Sequence, residues 1–275
     1  MKMMPLASFA LVTSLVAQNP EFSTPVPTTL SAIRAEAEAF RNVKVTFPAQ
    51  FSSLGNLSNP FFTRFSPTDF TNFYVWADEQ PIWQRADYED MFGNLFYSKF
   101  GEQLQTIFNM PTYQRLQITG IIRNTFQNSP WIEVTEFDLL PNRVNAAVLT
   151  HMYRGEQFMA ERRWERAIAE LTFVPGAGVP AMVQAAAFRN LGVCYLRIGE
   201  AAQAVGCLES AVAFNPRHDN EVANLLTTAR SQPGAELDRV VGIDDLEDYE
   251  LPMWELFEGD DSGETGNTGS PQPMR

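Results

Sequence analysis

The chain has 275 residues, of which 45% are hydrophobic, and carries a formal net charge of −13. This length and apolar content are sufficient for a packed core and for two small domains. An acidic surface repels phosphate backbones, and the sequence contains no basic patch, so the composition argues against a nucleic-acid partner.

The N-terminus has the features of an export signal. Lys2 precedes an uncharged, mostly apolar run from Pro5 to Ala17, which is long enough for a signal peptide and too short to cross a bilayer. We therefore predict that residues 1–17 are a signal peptide and that the protein is exported to a periplasmic or extracellular location. No later apolar run has the length of a membrane span, so no integral membrane segment is expected in the mature chain.

Residues 18–41 combine a proline-containing linker with a short helix. Pro20, Pro25 and Pro27 lie among serine and threonine residues, as in many linkers. Between residues 30 and 40 the spacing of Ile33 and Ala37 places apolar side chains on one face of a helix.

Residues 42–141 are rich in phenylalanine and tryptophan and predict a β-rich domain. Alternation of apolar and polar residues indicates five strands, with a short helix over residues 101–108 between the third and the fourth. The predicted strands cover residues 43–47, 70–77, 95–97, 115–124 and 131–137. Gly120, inside the fourth strand, is typical of a bulge or a barrel corner.

The run from Arg115 to Leu140 resembles the last two strands of OB-fold-like barrels, in which a glycine-containing strand is followed by a turn and an alternating strand. The resemblance covers about 25 residues and the order of the elements. It implies a small β-barrel. An unclassified α+β domain is the competing interpretation.

Residues 185–218 predict a pair of helices. Large side chains share one face of the first helix, and small ones allow the second helix to approach closely. The positions concerned are Phe188, Leu191, Gly192, Tyr195, Ala204, Leu208, Ala211 and Pro216. This pattern resembles the tetratricopeptide (TPR) repeat.

A second, degenerate copy of the pattern begins near Val148. It retains a glycine, an aromatic residue, an alanine and a leucine at matching positions: Gly155, Phe158, Ala167 and Leu171. A capping helix is predicted over residues 220–230, which gives a TPR-like helical domain over residues 144–231. Because two repeats bury little surface, we expect them to gain burial from the preceding domain or from a partner protein.

The TPR resemblance implies a peptide-binding groove lined by the first helix of each repeat. By position, its residues are Met152, Glu156, Met159, Arg189, Val193 and Leu196. The alternative is that some of these side chains only pack against neighbouring helices.

Tyr74, Trp76 and Trp83 suggest a second binding surface in the β-rich domain. Three aromatic side chains on one barrel face would form a platform for a sugar or a peptide, although aromatic residues at strand spacing also form cores.

The acidity of the chain is concentrated in its C-terminal tail. Residues 231–275 contain twelve acidic and two basic residues, a net charge of −10, and we predict that residues 232–275 are disordered. Within them Leu251, Met253, Trp254 and Phe257 form an apolar motif that would dock either on a partner or on the protein itself.

Candidate catalytic groups are few. His151 and His218 are far apart, and no nucleophile, metal-ligand or phosphate-binding motif is present, so neither a cofactor nor a metal is expected. The two cysteines, Cys194 and Cys207, are either buried small hydrophobes or a disulfide.

Together these features predict an α+β protein with an OB-like barrel, TPR-like helices and an acidic tail. Its expected role is that of a non-enzymatic scaffold or adaptor for a protein or peptide partner. Two alternatives remain open: a carbohydrate- or cell-wall-binding protein using the barrel aromatics, and a structural subunit of an envelope assembly.

Overall fold

The computed structural model describes residues 19–56, 64–215 and 220–231. The predicted signal peptide, His218 and the acidic tail with its apolar motif lie outside these residues. Within them the chain is α+β, with strands followed by helices. The strands are Val26–Pro27 (β1), Lys44–Leu54 (β2), Phe70–Ala77 (β3), Phe92–Ser98 (β4), Arg115–Phe126 (β5) and Ser129–Leu139 (β6).

Strands β2 to β6 close into a five-stranded barrel. Around it the order is β2, β3, β4, β6 and β5, and β5 pairs again with β2. The neighbouring strands are antiparallel except β4 and β6, which are parallel with Leu95 opposite Ile132. The predicted barrel is thus confirmed, and its architecture is consistent with an OB-like fold. The two-residue strand β1, which was not predicted, pairs in parallel with β2, with Val26 opposite Val45.

Alternation along the strands fills the barrel with apolar side chains. Val45, Phe47 and Ala49 of β2 point inward and are fully buried. At Gly120 the pairing of β5 with β6 shifts register, which confirms the predicted bulge. A Cβ atom at Gly120 would lie 2.8 Å from the backbone oxygen of Glu133, so the strands could not approach as closely with a larger residue.

Three short helices accompany the barrel. They are Leu30–Ala35 (α1), Arg85–Glu89 (α2) and Leu104–Phe108 (α3). Leu30 and Ile33 of α1 and Ile107 of α3 pack into the barrel core. The sequence predicted α1 and α3, whereas α2, which follows β3, was not predicted.

Five helices form the C-terminal part of the described chain: Ala146–Ala160 (α4), Trp164–Leu171 (α5), Ala181–Arg197 (α6), Ala201–Phe214 (α7) and Asn220–Ser231 (α8). Helices α4 and α5 form one hairpin, and α6 and α7 form another. Gly199, with a φ of 81°, connects α6 to α7 in a conformation that favours glycine.

The two hairpins use the same close contact. A Cβ at Gly155 would lie 2.6 Å from Cγ of Leu171, and a Cβ at Gly192 would lie 2.6 Å from Cγ of Leu208. Each glycine therefore lets a leucine of the paired helix lie directly against the backbone. The hairpins are related by this repeated packing, and α8 covers α7 with Val222 and Leu225.

The barrel and the helices share one hydrophobic core. Trp76, Ile82, Trp83, Tyr88 and Tyr113 come from the barrel part and pack in the same cluster as Leu149 and Met152 of α4 and the buried residues of α6 to α8. The expectation that the helices gain burial from the preceding domain is confirmed. Within the described residues, every helix is too short or too polar to span a lipid bilayer.

Candidate functional site

A cleft of about 510 Å³ lies where the helices meet the loop that follows β3. We call it the helical cleft. One wall is the segment from residue 78 to residue 84, and the others are the N-terminal half of α6, the end of α7 and the start of α8. Its volume falls within the range of about 300–1,000 Å³ common for ligand sites.

The walls formed by the helices are mainly apolar. Met182, Val183 and Ala186 line the cleft from α6, and Val222 and Leu226 line it from α8. Val222 and Leu226 are one helical turn apart, so both face the same side of α8. The cleft therefore offers apolar contacts over most of the helical surface.

The floor of the cleft is organised by Glu156 of α4, whose side chain is buried. Its Oε1 accepts hydrogen bonds from Nε1 of Trp83 at 2.8 Å and from Nδ2 of Asn190 at 2.9 Å. Its Oε2 accepts one from Nε2 of Gln84 at 3.0 Å. One carboxylate thus links the loop after β3 to both helical hairpins.

Burial raises the pKa of the Glu156 carboxyl above its ordinary value. The hydrogen bonds from Trp83 and Gln84, together with the nearby charge of Arg189, oppose this shift in part. Desolvation dominates because burial has removed the carboxyl from water.

Arg189 lies on the same floor and is partly neutralised. Its Nε donates to Oδ1 of Asn190 at 3.2 Å, and its Nη1 lies 3.3 Å from Oε2 of Glu221 at the start of α8. On the wall formed by residues 78–84, the Asp78 carboxylate accepts hydrogen bonds from Nε and Nη2 of Arg115 at 2.6 and 2.8 Å. Glu79, which is half-buried beside Asp78, makes no ion pair within the described residues.

The six residues predicted to line a peptide groove are separated by the fold. Met152, Met159, Val193 and Leu196 are buried within the protein. Only Glu156 and Arg189 line the helical cleft. The surface of the first hairpin next to Glu156 is covered by the protein's own Trp83 and Gln84, so a peptide could not reach it without displacing them.

The three aromatic residues suggested as a platform do not lie together. Trp76 is 1% exposed, donates from Nε1 to the backbone oxygen of Tyr88 at 2.8 Å, and stacks on Tyr113. Trp83 is buried beside Glu156. These two side chains belong to the shared core, in one cluster with Leu149 and Met152 of α4.

Tyr74 instead lines a second depression on the outer face of the barrel, of about 380 Å³, which we call the barrel pocket. Asn72, Asn94, Ser129 and Trp131 surround it. The ring of Tyr74 lies against Gly93, where a Cβ atom would overlap it. The pocket therefore combines aromatic faces with amide and hydroxyl groups.

Aromatic stacking orders one side of the barrel pocket. Phe96 lies 5.3 Å from Trp131 between ring centres, and Phe65 stacks on Phe96 at 4.1 Å. The Asn94 side chain donates to Oγ of Ser129 at 2.8 Å.

His151 and the two cysteines pack against other side chains of the helical hairpins. Nδ1 of His151 lies 2.7 Å from Oε2 of Glu170, and the ring stacks on Phe173. Cys194 and Cys207 are free thiols, and burial raises the pKa of Cys194 to about 12. Among the described residues, no group of three or more His, Cys, Asp or Glu side chains is arranged to hold a metal ion.

The sequence interpretation missed most of the helical cleft. Four apolar lining residues were not predicted to form a cleft: Val183, Ala186, Val222 and Leu226. The wall formed by Glu79 and its neighbours was not predicted either. One usable signal was present: Glu156 and Asn190 are polar residues 34 residues apart on otherwise apolar helix faces. Such a recurrence indicates a buried polar contact between repeated helices.

The fold and the cleft define a class of protein, an OB-like barrel joined to helical hairpins through a shared core. No family model, no curated protein and no solved structure matches the chain.

Proposed function

We propose that this protein is an exported, non-enzymatic interaction scaffold whose helical hairpins act as TPR-like repeats. A segment of a partner protein would bind in the helical cleft. The observation that carries this proposal is the cleft itself, an apolar depression of about 510 Å³ with a charged floor. Apolar walls contribute affinity, and a few polar groups fix orientation.

The surroundings of Glu156 support a preorganised site. Three donors hold its carboxylate, so the loop wall and the helical walls are fixed relative to one another before a partner arrives. Preorganisation reduces the ordering cost of binding. The outer face of α8 carries Asn224 and Thr227, which are exposed. Within the described residues, this polar outer face of the last helix favours a scaffold over a structural subunit, for which an apolar end is expected.

A substitution that fills the cleft tests this proposal. Ala186 is half-buried and lines the cleft, so Ala186→Phe should occupy the partner's space. Ala169 is exposed on α5, and Ala169→Phe is the matched control. We expect Ala186→Phe to weaken partner binding at least about tenfold and Ala169→Phe to leave it unchanged.

The measurement is capture of partners from the extracellular or envelope fraction of the source organism, followed by titration of the recovered protein. A partner retained by Ala169→Phe and lost with Ala186→Phe supports the proposal. Equal recovery by both variants contradicts it. Arg189→Glu is less suitable because it would leave Glu221 without its ion pair.

A second candidate function is carbohydrate binding in the barrel pocket. The observation that favours it is the placement of Tyr74 and Trp131 around Asn72, Asn94 and Ser129, because sugar rings stack on aromatic faces while their hydroxyls bond to amides.

We expect Trp131→Ala to weaken oligosaccharide binding at least about tenfold if this function is present. The control is Trp164→Ala, since Trp164 lies on α5 away from the barrel pocket. Quenching of tryptophan fluorescence by glucose and N-acetylglucosamine oligomers is the measurement. Absence of quenching in the wild-type protein excludes these sugars as ligands.

A further inference from the structure

The helical cleft has a charge imbalance as well as apolar walls. Two of the acidic side chains near it are paired with arginines, Asp78 with Arg115 and Glu221 with Arg189. Glu79 and Glu156 also line the cleft, and neither forms an ion pair within the described residues. The helical walls of the cleft are therefore mainly apolar, with Arg189 held by Glu221, and the wall formed by residues 78–84 carries the Glu79 carboxylate.

The two carboxylates differ in how far they are buried. Glu156 is buried and held by three hydrogen bonds, whereas Glu79 is half-buried on the wall formed by residues 78–84. A cation entering with a ligand would meet Glu79 first. Its contact with Glu79 would lie beside the apolar wall of α6 and α8.

From this juxtaposition we propose that the helical cleft binds an amphipathic segment of a partner protein with lysine or arginine beside its apolar side chains. The apolar side chains enter between Ala186 of α6 and Leu226 of α8, and a cation lies at Glu79. This inference rests on the proposed function and specifies the chemistry of the partner.

The charge of the cleft argues against the chain's own apolar tail motif as the occupant. Glu250, Glu255 and Glu258 lie in or next to that motif, and residues 231–275 have a net charge of −10. Such a segment would bring like charges to Glu79. A cationic partner instead gains from Glu79, and charge complementarity of this kind selects partners.

The test uses the full chain and three fluorescein-labelled peptides of about four helical turns. Each peptide has leucine on one face and either lysine, glutamine or glutamate on the other. Fluorescence anisotropy at about 0.15 M salt gives the dissociation constants. We expect the leucine–lysine peptide to bind most tightly and Ala186→Phe to weaken its binding at least about tenfold, with no effect of Ala169→Phe.

The charge is tested by a second matched pair. Glu79→Gln removes the carboxylate on the cleft wall, and Glu165→Gln removes an exposed one on α5. We expect Glu79→Gln to weaken leucine–lysine binding about two- to fivefold and Glu165→Gln to have little effect. Because both variants retain the acidic tail, the difference between them reports on the cleft alone.

The outcomes separate this inference from the proposed function. If the wild-type protein binds all three peptides with equal affinity and Ala186→Phe weakens each of them, the cationic preference is overturned while the cleft remains a binding site. The same holds if Glu79→Gln and Glu165→Gln behave alike. Tightest binding of the leucine–glutamate peptide would also overturn it and would favour the tail motif. If Ala186→Phe affects none of the peptides, this inference fails, and the partner-capture experiment decides the proposed function separately.

Discussion

Trp76→Ala is expected to lower the free energy of unfolding by about 3–5 kcal/mol. The side chain is 1% exposed and lies between the outer face of β3 and the helices. Its removal would leave a cavity beside Tyr88 and Tyr113, and the backbone oxygen of Tyr88 would lose a hydrogen bond.

Because Trp76 belongs to a core that both parts share, we expect the barrel and the helices to lose stability together. Urea unfolding monitored by circular dichroism for the helices and by tryptophan fluorescence should give one coincident transition. Phe100→Ala is the control, since Phe100 is 82% exposed and its truncation should change stability by less than about 0.5 kcal/mol. Two separate transitions, with the helices unaffected by Trp76→Ala, would contradict the shared core.

Glu156→Ala is expected to lower the free energy of unfolding by about 2–4 kcal/mol. The physical reason is that Trp83, Gln84 and Asn190 would all lose the acceptor that they share. Glu156→Gln should cost much less because the amide oxygen still accepts from Trp83 and Asn190. Chemical denaturation of the three proteins at one pH makes this comparison.

The stability of Glu156→Gln relative to wild type should also depend on pH. Burial raises the pKa of Glu156 in the folded state, so the folded protein binds this proton more tightly than the unfolded chain. The resulting stabilisation is complete below the unfolded pKa and is lost as the pH rises through the folded pKa. The glutamine side chain does not titrate, so the Glu156→Gln variant does not lose stability in this way.

We therefore expect the stability of Glu156→Gln to increase relative to wild type between about pH 4 and neutrality. Denaturation curves of both proteins across this range provide the measurement. The opposite trend would show that Arg189 and the three donors outweigh desolvation. Folding would then lower the pKa of the Glu156 carboxyl.

Much of the barrel was predictable because strand formation leaves a local pattern. Apolar and polar side chains alternate with a period of two residues in β2, β3, β5 and β6. A glycine inside a strand, here Gly120, indicates a bulge. The closure of the barrel could not be predicted from local patterns, because β4 pairs in parallel with β6 across an intervening helix and strand. The short helix α2 was missed because Tyr88 is its only large apolar side chain, so residues 85–89 show no apolar helix face.

The helical hairpins could also be predicted from the sequence, since Gly192 and Leu208 have the spacing that a close helix pair requires. The packing of these hairpins against the barrel could not be predicted. Trp83 and Glu156 are 73 residues apart, and no local pattern indicates that one donates to the other. The predicted groove assumed exposed first helices, whereas the loop after β3 covers part of that surface.

The sequence by itself determined the strands, the bulge at Gly120, the close helix pairs and the concentration of negative charge at the C-terminus, because each depends on neighbouring residues or on composition. Only the tertiary structure decided how the barrel closes, that Trp76 and Trp83 are core residues, and that Glu79, Ala186 and Leu226 share a cleft. These features depend on contacts between segments far apart in the chain, where burial and hydrogen bonding are settled by the packing of the whole molecule.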